Sequence, residues 1–242
     1  MELTKTNALV TGASKGLGRA TAEALARAGA CVVLVARHKD EVEAVARKLR
    51  DEGHVAHAVA ADIGDKEAVY PLAGTAAALV GPIDLLIHNA STLGPTPLQY
   101  LLDTACEDFE RVLQTNLIGP FRLTKAIAGA MAVRNRGLVI HISSDAAVSA
   151  YPKWGSYGVS KAAQDHLSRT LAAEFEGSGV KFWSLDPGEM DTQMHKDAIP
   201  DADPATLLSP EKVAERLVRL IRSDAALPSG ARKELASVEV SP

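Results

Sequence analysis

The stretch Ala8-Leu9-Val10-Thr11-Gly12-Ala13-Ser14-Lys15-Gly16-Leu17-Gly18 decides how the rest of the chain is read. Its apolar residues at 8–10 predict a short buried strand, and the periodic residues after Gly18 predict a helix that ends near Gly29. Between them lies a turn with glycines spaced G-x-x-x-G-x-G. Glycine suits such a turn because the chain bends sharply and its backbone can come close to an anion. The helix that follows offers its unpaired N–H groups to the same anion. The spacing differs from the commoner G-x-G-x-x-G, and an ordinary tight loop looks the same in isolation.

Downstream, strand-like and helix-like segments alternate to the end. Cys31–Ala36 is a continuous apolar run, short enough for a strand buried on both faces. A charged helix is expected over 40–52, a strand over 55–60, an alanine-rich helix to about Val80, and a strand over 83–87 behind Gly81-Pro82. Residues 103–134 read as one long helix, bent near Gly119-Pro120. Strands at 138–142 and 180–185 bracket a helix over 156–176; a helix at 211–222 follows, and the last residues add an edge strand. The stretch 186–209 holds Pro187, Pro200 and Pro204, with Pro210 just beyond, and has little periodicity. It reads as a substrate lid or loop over 187–209. Repeated β-α units with short connections imply one α/β domain over 1–242: a doubly wound, mostly parallel Rossmann-type sheet with helices on both faces. In that setting the glycine turn reads as a dinucleotide site.

The 242 residues are 47% apolar and 23% charged, ordinary for a soluble globular protein, and carry a formal net charge of −4. With no Lys/Arg-rich block, that balance argues against a nucleic-acid or anionic-membrane partner. No basic-then-apolar leader opens the chain and no apolar run is long enough to cross a bilayer, so a cytoplasmic protein is expected. Cys31 and Cys106 have no CxxC partner, and each is expected as a small buried residue. His54, His57, His88 and His141 form no cluster at ligand spacing, so no metal is expected. Ser144 has no G-x-S-x-G elbow, which sets aside a serine hydrolase.

The second strand discriminates between nicotinamide cofactors. An NAD site places an acid at its end to meet the ribose 2′-OH. Here the end reads Val35-Ala36-Arg37-His38-Lys39, with no acid until Asp40, which is expected to cap the next helix. Arg37 can fork onto a 2′-phosphate, and Lys15 adds charge at the same corner, so NADP(H) is expected. Asp62, followed by Ile63, is placed to meet the adenine or to cap the next helix. Asn89-Ala90 ends the fourth strand, where backbone and amide can line a ribose. All fall at the carboxyl ends of strands, where such folds bind ligands.

Tyr157 and Lys161 stand at i, i+4, one turn apart on one helical face. A phenol is a weak acid–base catalyst at neutrality, and a neighbouring ammonium brings its pKa down. The pair by itself also fits an exposed helix start. Ser143-Ser144 follows the fifth strand, where a hydroxyl can stabilise charge on a substrate oxygen. Asn116 falls within the long helix, either as a satisfied interior amide or, at an irregularity, as part of a proton relay to Lys161.

These residues resemble the short-chain dehydrogenase/reductase family over nearly the whole chain: TGASKGLG at 11–18, HNAS at 88–91, Asn116, and SS…YGVSK at 143–161. The resemblance implies a tetrad of Asn116, Ser144, Tyr157 and Lys161. It implies hydride transfer between nicotinamide C4 and a carbonyl carbon, with Tyr157 giving or taking the proton. Asp186-Pro187-Gly188 and Thr192 look like the family's turn and its contact to the nicotinamide amide. His88 and Ser91 depart from its usual Asn and Gly, which implies a slightly crowded ribose contact, and the tail after Gly230 is brief. Trp154-Gly155-Ser156-Tyr157 and 187–194 are similar to sepiapterin-reductase-like members. Trp154, Met190 and Met194 are candidate walls for a ring-bearing ketone, or plain packing of the lid. The family also implies a homodimer or homotetramer, paired through 103–134 and 156–176. A non-catalytic NADP(H) sensor or scaffold is the competing reading; it gives Tyr157 and Ser144 nothing to do. An epimerase or dehydratase would need a sugar-nucleotide domain that the chain lacks.

Overall fold

A computed structural model describes residues 1–223 and 227–237. Seven strands form one parallel sheet in the order β3-β2-β1-β4-β5-β6-β7. They are β1 (Asn7–Thr11), β2 (Cys31–Ala36), β3 (Ala56–Ala60), β4 (Leu85–His88), β5 (Gly137–Ile142), β6 (Val180–Asp186) and β7 (Arg232–Glu234). The order runs outward from β1 to β3 on one side and from β4 to β7 on the other, so the switch point lies between β1 and β4, where crevice ligands bind. The edge strand is β7; the tail from 238 onward lies outside the described residues.

Helices α1 (Gly16–Arg27), α2 (Lys39–Asp51) and α8 (Pro210–Arg222) close one core with Val10, Leu34, Ile140 and Trp183. Helices α3 (Lys66–Val80), α5 (Gly119–Val133) and α6 (Gly155–Glu174) close the other with Leu9, Val33, Val139 and Phe182. Neighbouring residues of each strand serve opposite cores, which is why the strands read as continuous apolar runs.

Four local expectations are corrected. Asp40 does not cap α2: the helix already starts at Lys39 and Asp40 lies in its first turn, where its charge suits the helix dipole. Asp62 does not cap α3; Asp65 does, accepting from Glu67 N–H at 2.9 Å, while Asp62 accepts from Gly64 N–H at 2.8 Å. Cys106 is exposed and Cys31 only half-buried. Cys106 opens α4 (Cys106–Leu113), whose first turn lies at the surface, the helix burying only Val112.

The long helix is interrupted just before Gly119-Pro120, by a π-helical turn over Gln114–Ile118 between α4 and α5 (Gly119–Val133). Pro120 explains it: the residue that would bond the Asn116 carbonyl has no N–H. That carbonyl is released and accepts from Gln164 Nε2 on α6 at 2.9 Å. The stretch 187–209 is likewise not structureless. It contains α7 (Gln193–Ala198) and a 3-10 turn at Pro204–Thr206, and it closes on itself through a bridge between Met190 and Leu208. Among the described residues, no helix is long and apolar enough to cross a membrane.

Candidate active site

The glycine turn is locked to the end of β4. Gly12 and Gly16 have φ of 67° and 54°, a region closed to most side chains. Thr11 Oγ1 accepts from the N–H groups of Asn89 and Ala90, each at 3.1 Å, and Asn89 Nδ2 donates to the carbonyls of Thr11 and Gly12 at 3.1 and 3.2 Å. The Asn89 amide thus holds the turn together. Gly18 fits against this staple because it has no Cβ: one would collide with Gly12 O and Asn89 Nδ2. Helix α1 starts without a side-chain cap at Lys15, so the first N–H groups, from Gly16 to Gly18, have no partner from a capping side chain. Leu17 is buried beneath them and Ser14 is half-buried.

Lys15 and Arg37 are exposed at the same sheet edge, and among the described residues neither joins an ion pair. Asp62 is exposed and Ile63 buried. The Ile63 carbonyl lies so close to Gly119 that a Cβ there would collide with it, which seats the π turn against the loop after β3. Thr192 caps α7, its Oγ1 accepting from His195 N–H at 3.2 Å, and its methyl would lie 3.4 Å from a Cβ on Gly16. The segment 187–209 therefore stands across from the glycine turn at Thr192. At its root Pro187 is buried, and Gly188, at φ 74°, donates to Asp186 Oδ1 at 3.0 Å.

Tyr157, Ser144 and Lys161 come together at the carboxyl ends of β5 and β6. Lys161 Nζ lies 5.5 Å from the Tyr157 ring centre and donates to the Ile142 carbonyl at 2.7 Å and to Gln164 Oε1 at 3.4 Å. Ser144 Oγ donates to Asp145 Oδ1 at 2.9 Å and accepts from Ala146 N–H at 3.2 Å; the other Asp145 oxygen accepts from Tyr151 at 2.8 Å. Asn116 is fully buried and braces the loop after β4. Its Oδ1 accepts from Thr92 N–H at 2.8 Å, and its Nδ2 donates to the Thr92 carbonyl and to Ser160 Oγ, both at 2.9 Å. Gln164 bridges the Asn116 carbonyl and the Lys161 ammonium.

Burial pushes the Tyr157 phenol up to about 12; the Ser144 hydroxyl pulls it down, the carboxylates of Asp186 and Asp145 add to the rise, and Ser91 pulls down again. The lowering expected from Lys161 thus comes here from two hydroxyls, one of them on Ser91, a departure from the family pattern. Burial brings Lys161 down to about 8 against the pull of Asp165 and Asp186. Beneath it the register partners His88 and His141 stack at 4.9 Å. Burial and the Lys161 charge bring His141 down to about 3, and His88, held down by burial, His141 and Lys161, also stays neutral. His88 Nε2 pairs with Thr124 Oγ1 at 2.8 Å. Among the described residues, no group of His, Cys, Asp and Glu side chains could hold a metal ion.

Trp154 meets the Tyr157 ring edge-on at 5.7 Å, and Met194 packs in the same small cluster with Leu93, Leu98 and Ala146. Met190 is not among them; it packs with Leu208 against the larger core. A shallow cleft beside this cluster is lined by Leu93, Pro95, Leu98, Lys153 and Ser156, among others. Sequence reasoning missed Leu93 and Leu98, in a Pro- and Gly-containing loop with no periodicity. It also missed Asp145, for which adjacency to Ser144 was the available signal, Gln164, whose tie to the Asn116 carbonyl is remote in sequence, and Arg232, whose partners all are.

Residues 6–203 match the family model for short chain dehydrogenase. A cis-4-hydroxycyclohexanecarboxylate dehydrogenase of Sinomonas cyclohexanicum is 34% identical over 230 residues, spanning 90% of each chain. A short chain dehydrogenase structure from Pseudomonas syringae superposes with a TM-score of 0.90 at 31% identity, covering 97% of this chain and 96% of that one. Another, from Shigella flexneri in complex with NADP, gives 0.89 at 27% identity over 96% of this chain and 97% of its own.

Proposed function

The chain belongs to the short-chain dehydrogenase family and is an oxidoreductase; from that premise we propose that it is NADP(H)-dependent and moves a hydride between nicotinamide C4 and the carbon of a carbonyl or secondary alcohol. Tyr157 is the general acid or base. The observation that carries this reading is the convergence of Tyr157, Lys161 and Ser144 at one strand edge, with Ser144 bearing on a buried phenol. Burial keeps Tyr157 protonated near neutrality, the form that gives a proton to a carbonyl oxygen. The Ser144 and Ser91 hydroxyls, which pull the phenol down, favour the phenolate that the reverse direction needs. Ser144 hydrogen-bonds the substrate oxygen as charge develops on it, which requires its proton to turn from Asp145.

The residues present fit a phosphorylated dinucleotide. The cradle at Gly12, Ser14, Gly16, Leu17 and Gly18 offers backbone N–H groups that no side chain caps. Lys15 and Arg37 lie beside it and join no ion pair among the described residues, and there is no acid at the end of β2, which favours a 2′-phosphate. Asp62 and Ile63 would flank the adenine, Ala90 and the Asn89 backbone a ribose, Tyr157 and Lys161 the other ribose, and Pro187, Gly188 and Thr192 the nicotinamide amide. When bound, the cofactor supplies or accepts the hydride. The NADP in the Shigella flexneri structure supports the same choice.

Trp154, Met194, Leu93 and Leu98 form an apolar wall beside Tyr157 that suits a ring-bearing substrate and excludes water. The name of the Sinomonas relative, a dehydrogenase of a ring-bearing secondary alcohol, supports that class. Phe121 and Val133 on α5 and Val159 on α6 are exposed, which supports pairing into a homodimer or homotetramer through these helices. The test of substrate class is a panel of cyclic ketones, diketones, pterins and hydroxycyclohexanecarboxylates, followed by NADPH absorbance. Turnover of ring-bearing ketones or alcohols is expected; activity confined to short acyclic carbonyls would overturn the ring-bearing assignment.

A further inference from the structure

Arg232, on the edge strand, is tied to three elements of this site. Its Nε donates to Asp165 Oδ2 at 3.0 Å, and its Nη2 donates to Asp186 Oδ2 at 2.8 Å and to the Ser144 carbonyl at 2.9 Å. Asp165 and Asp186 are 3% and 4% exposed, so both carboxylates need a partner that stays charged. The rigid guanidinium fork can meet all three acceptors; a lysine could not. Asp165 lies one turn beyond Lys161 on α6. Asp186 ends β6 and holds the Gly188 N–H at the root of the lid. Ser144 is the residue whose hydroxyl bears on Tyr157.

We propose that Arg232 is a positioning residue for the reaction: it fixes Ser144 against the strand ends and, by neutralising Asp165 and Asp186, sets the charge that Lys161 and Tyr157 face. The ionisable groups facing Lys161 are Tyr157 and Asp165 on its own helix, Asp186 on β6, and His88 and His141 on β4 and β5. Both histidines are neutral, so the two aspartates are the charges that act on it. Asp186 and the exposed Asp145 also raise Tyr157. Arg232 is the cation that offsets the two buried aspartates, with Glu234 3.9 Å from its Nη1 at the rim.

The inference rests on the reading of Tyr157 and Lys161 as the working pair, and its test does not depend on turnover alone. The measurement is an NMR titration of the Lys161 side chain in the full-length protein, assigned with Lys161→Arg, beside the pH profile of kcat. Arg232→Met leaves two uncompensated aspartates and is expected to raise the Lys161 midpoint by about one pH unit. Asp165→Asn is expected to lower it, and the kcat midpoint follows each in the same direction. Arg232→Lys keeps the charge without the fork: the midpoint stays near wild type while kcat falls about tenfold or more, KM moving less. Loss of packing alone cannot move the midpoint in opposite directions. Unmoved midpoints in folded variants would sink the charge role, and wild-type kcat in Arg232→Lys would sink the positioning role. If Arg232→Met does not fold, the other two variants decide. Shifted midpoints together with undiminished turnover in Tyr157→Phe would uphold Arg232 and overturn the Tyr157 assignment instead.

Discussion

Gly18→Ala tests whether the glycine turn is a close-packed cradle or merely a flexible loop. Its backbone is helical, so alanine is conformationally welcome; the obstacle is space. A Cβ there collides with Gly12 O and Asn89 Nδ2 and lies 2.8 Å from the Gly12 carbonyl carbon. Relief requires the turn to lift away from β4, which stretches the Asn89 bonds to the Thr11 and Gly12 carbonyls. Overpacking of this kind costs about 1–3 kcal/mol and each of the two weakened bonds about 0.5–1.5 kcal/mol, together about 2–6 kcal/mol. For a chain of this size that lowers Tm by about 4–24 °C. Because the displaced turn is also the proposed phosphate cradle, NADPH affinity is expected to fall about tenfold or more. The assay is differential scanning fluorimetry with and without NADPH, plus a fluorescence titration. Gly129→Ala is the control: its Cβ meets nothing within 4 Å on α5, so a gain of roughly 0.5–1 kcal/mol is expected. A Gly18→Ala protein with Tm within about 1 °C of wild type and unchanged NADPH affinity would refute the reasoning.

In acid, the unfolded chain binds a proton at His141 near 6.5 whereas the folded protein does so only at about 3, so stability is lost as pH falls between these values. His141→Asn is expected to remove a loss on the order of 5 kcal/mol from that limb, seen as a shallower fall of Tm with acid; an unchanged slope would contradict it. Arg37→Ala is expected to weaken NADPH binding about tenfold to a hundredfold while leaving NADH nearly unaffected, by nicotinamide fluorescence. An unchanged preference would place the 2′-phosphate elsewhere.

The alternation of strands and helices was legible because each strand serves two cores, as at Cys31–Ala36, whose bounds the apolar run marks without error. The residues at strand ends, Ser144 and Asn89 among them, were legible as positions for the same reason. Their bonding was not. That the Asn89 amide staples the turn, and that Ser144 gives its proton to Asp145, depends on side-chain directions that spacing does not carry. The break in the long helix was expected near Gly119-Pro120 and occupies the turn just before them, because a missing proline N–H acts on the carbonyl four residues before it. Arg232 was invisible because its partners Asp165 and Asp186 lie 67 and 46 residues away. Met190 looked like Met194 in sequence, yet the bridge to Leu208 turns it to the other core.

The central claim is that the Tyr157 hydroxyl, and nothing else in the pocket, moves the proton that accompanies hydride transfer. Tyr157→Phe removes that one oxygen and keeps the ring that packs on Trp154 and Lys161. Measured side by side, NADPH affinity is expected to stay within about twofold while turnover of the best substrate falls about 100- to 10,000-fold. Turnover equal to wild type, with NADPH bound normally, would contradict the account.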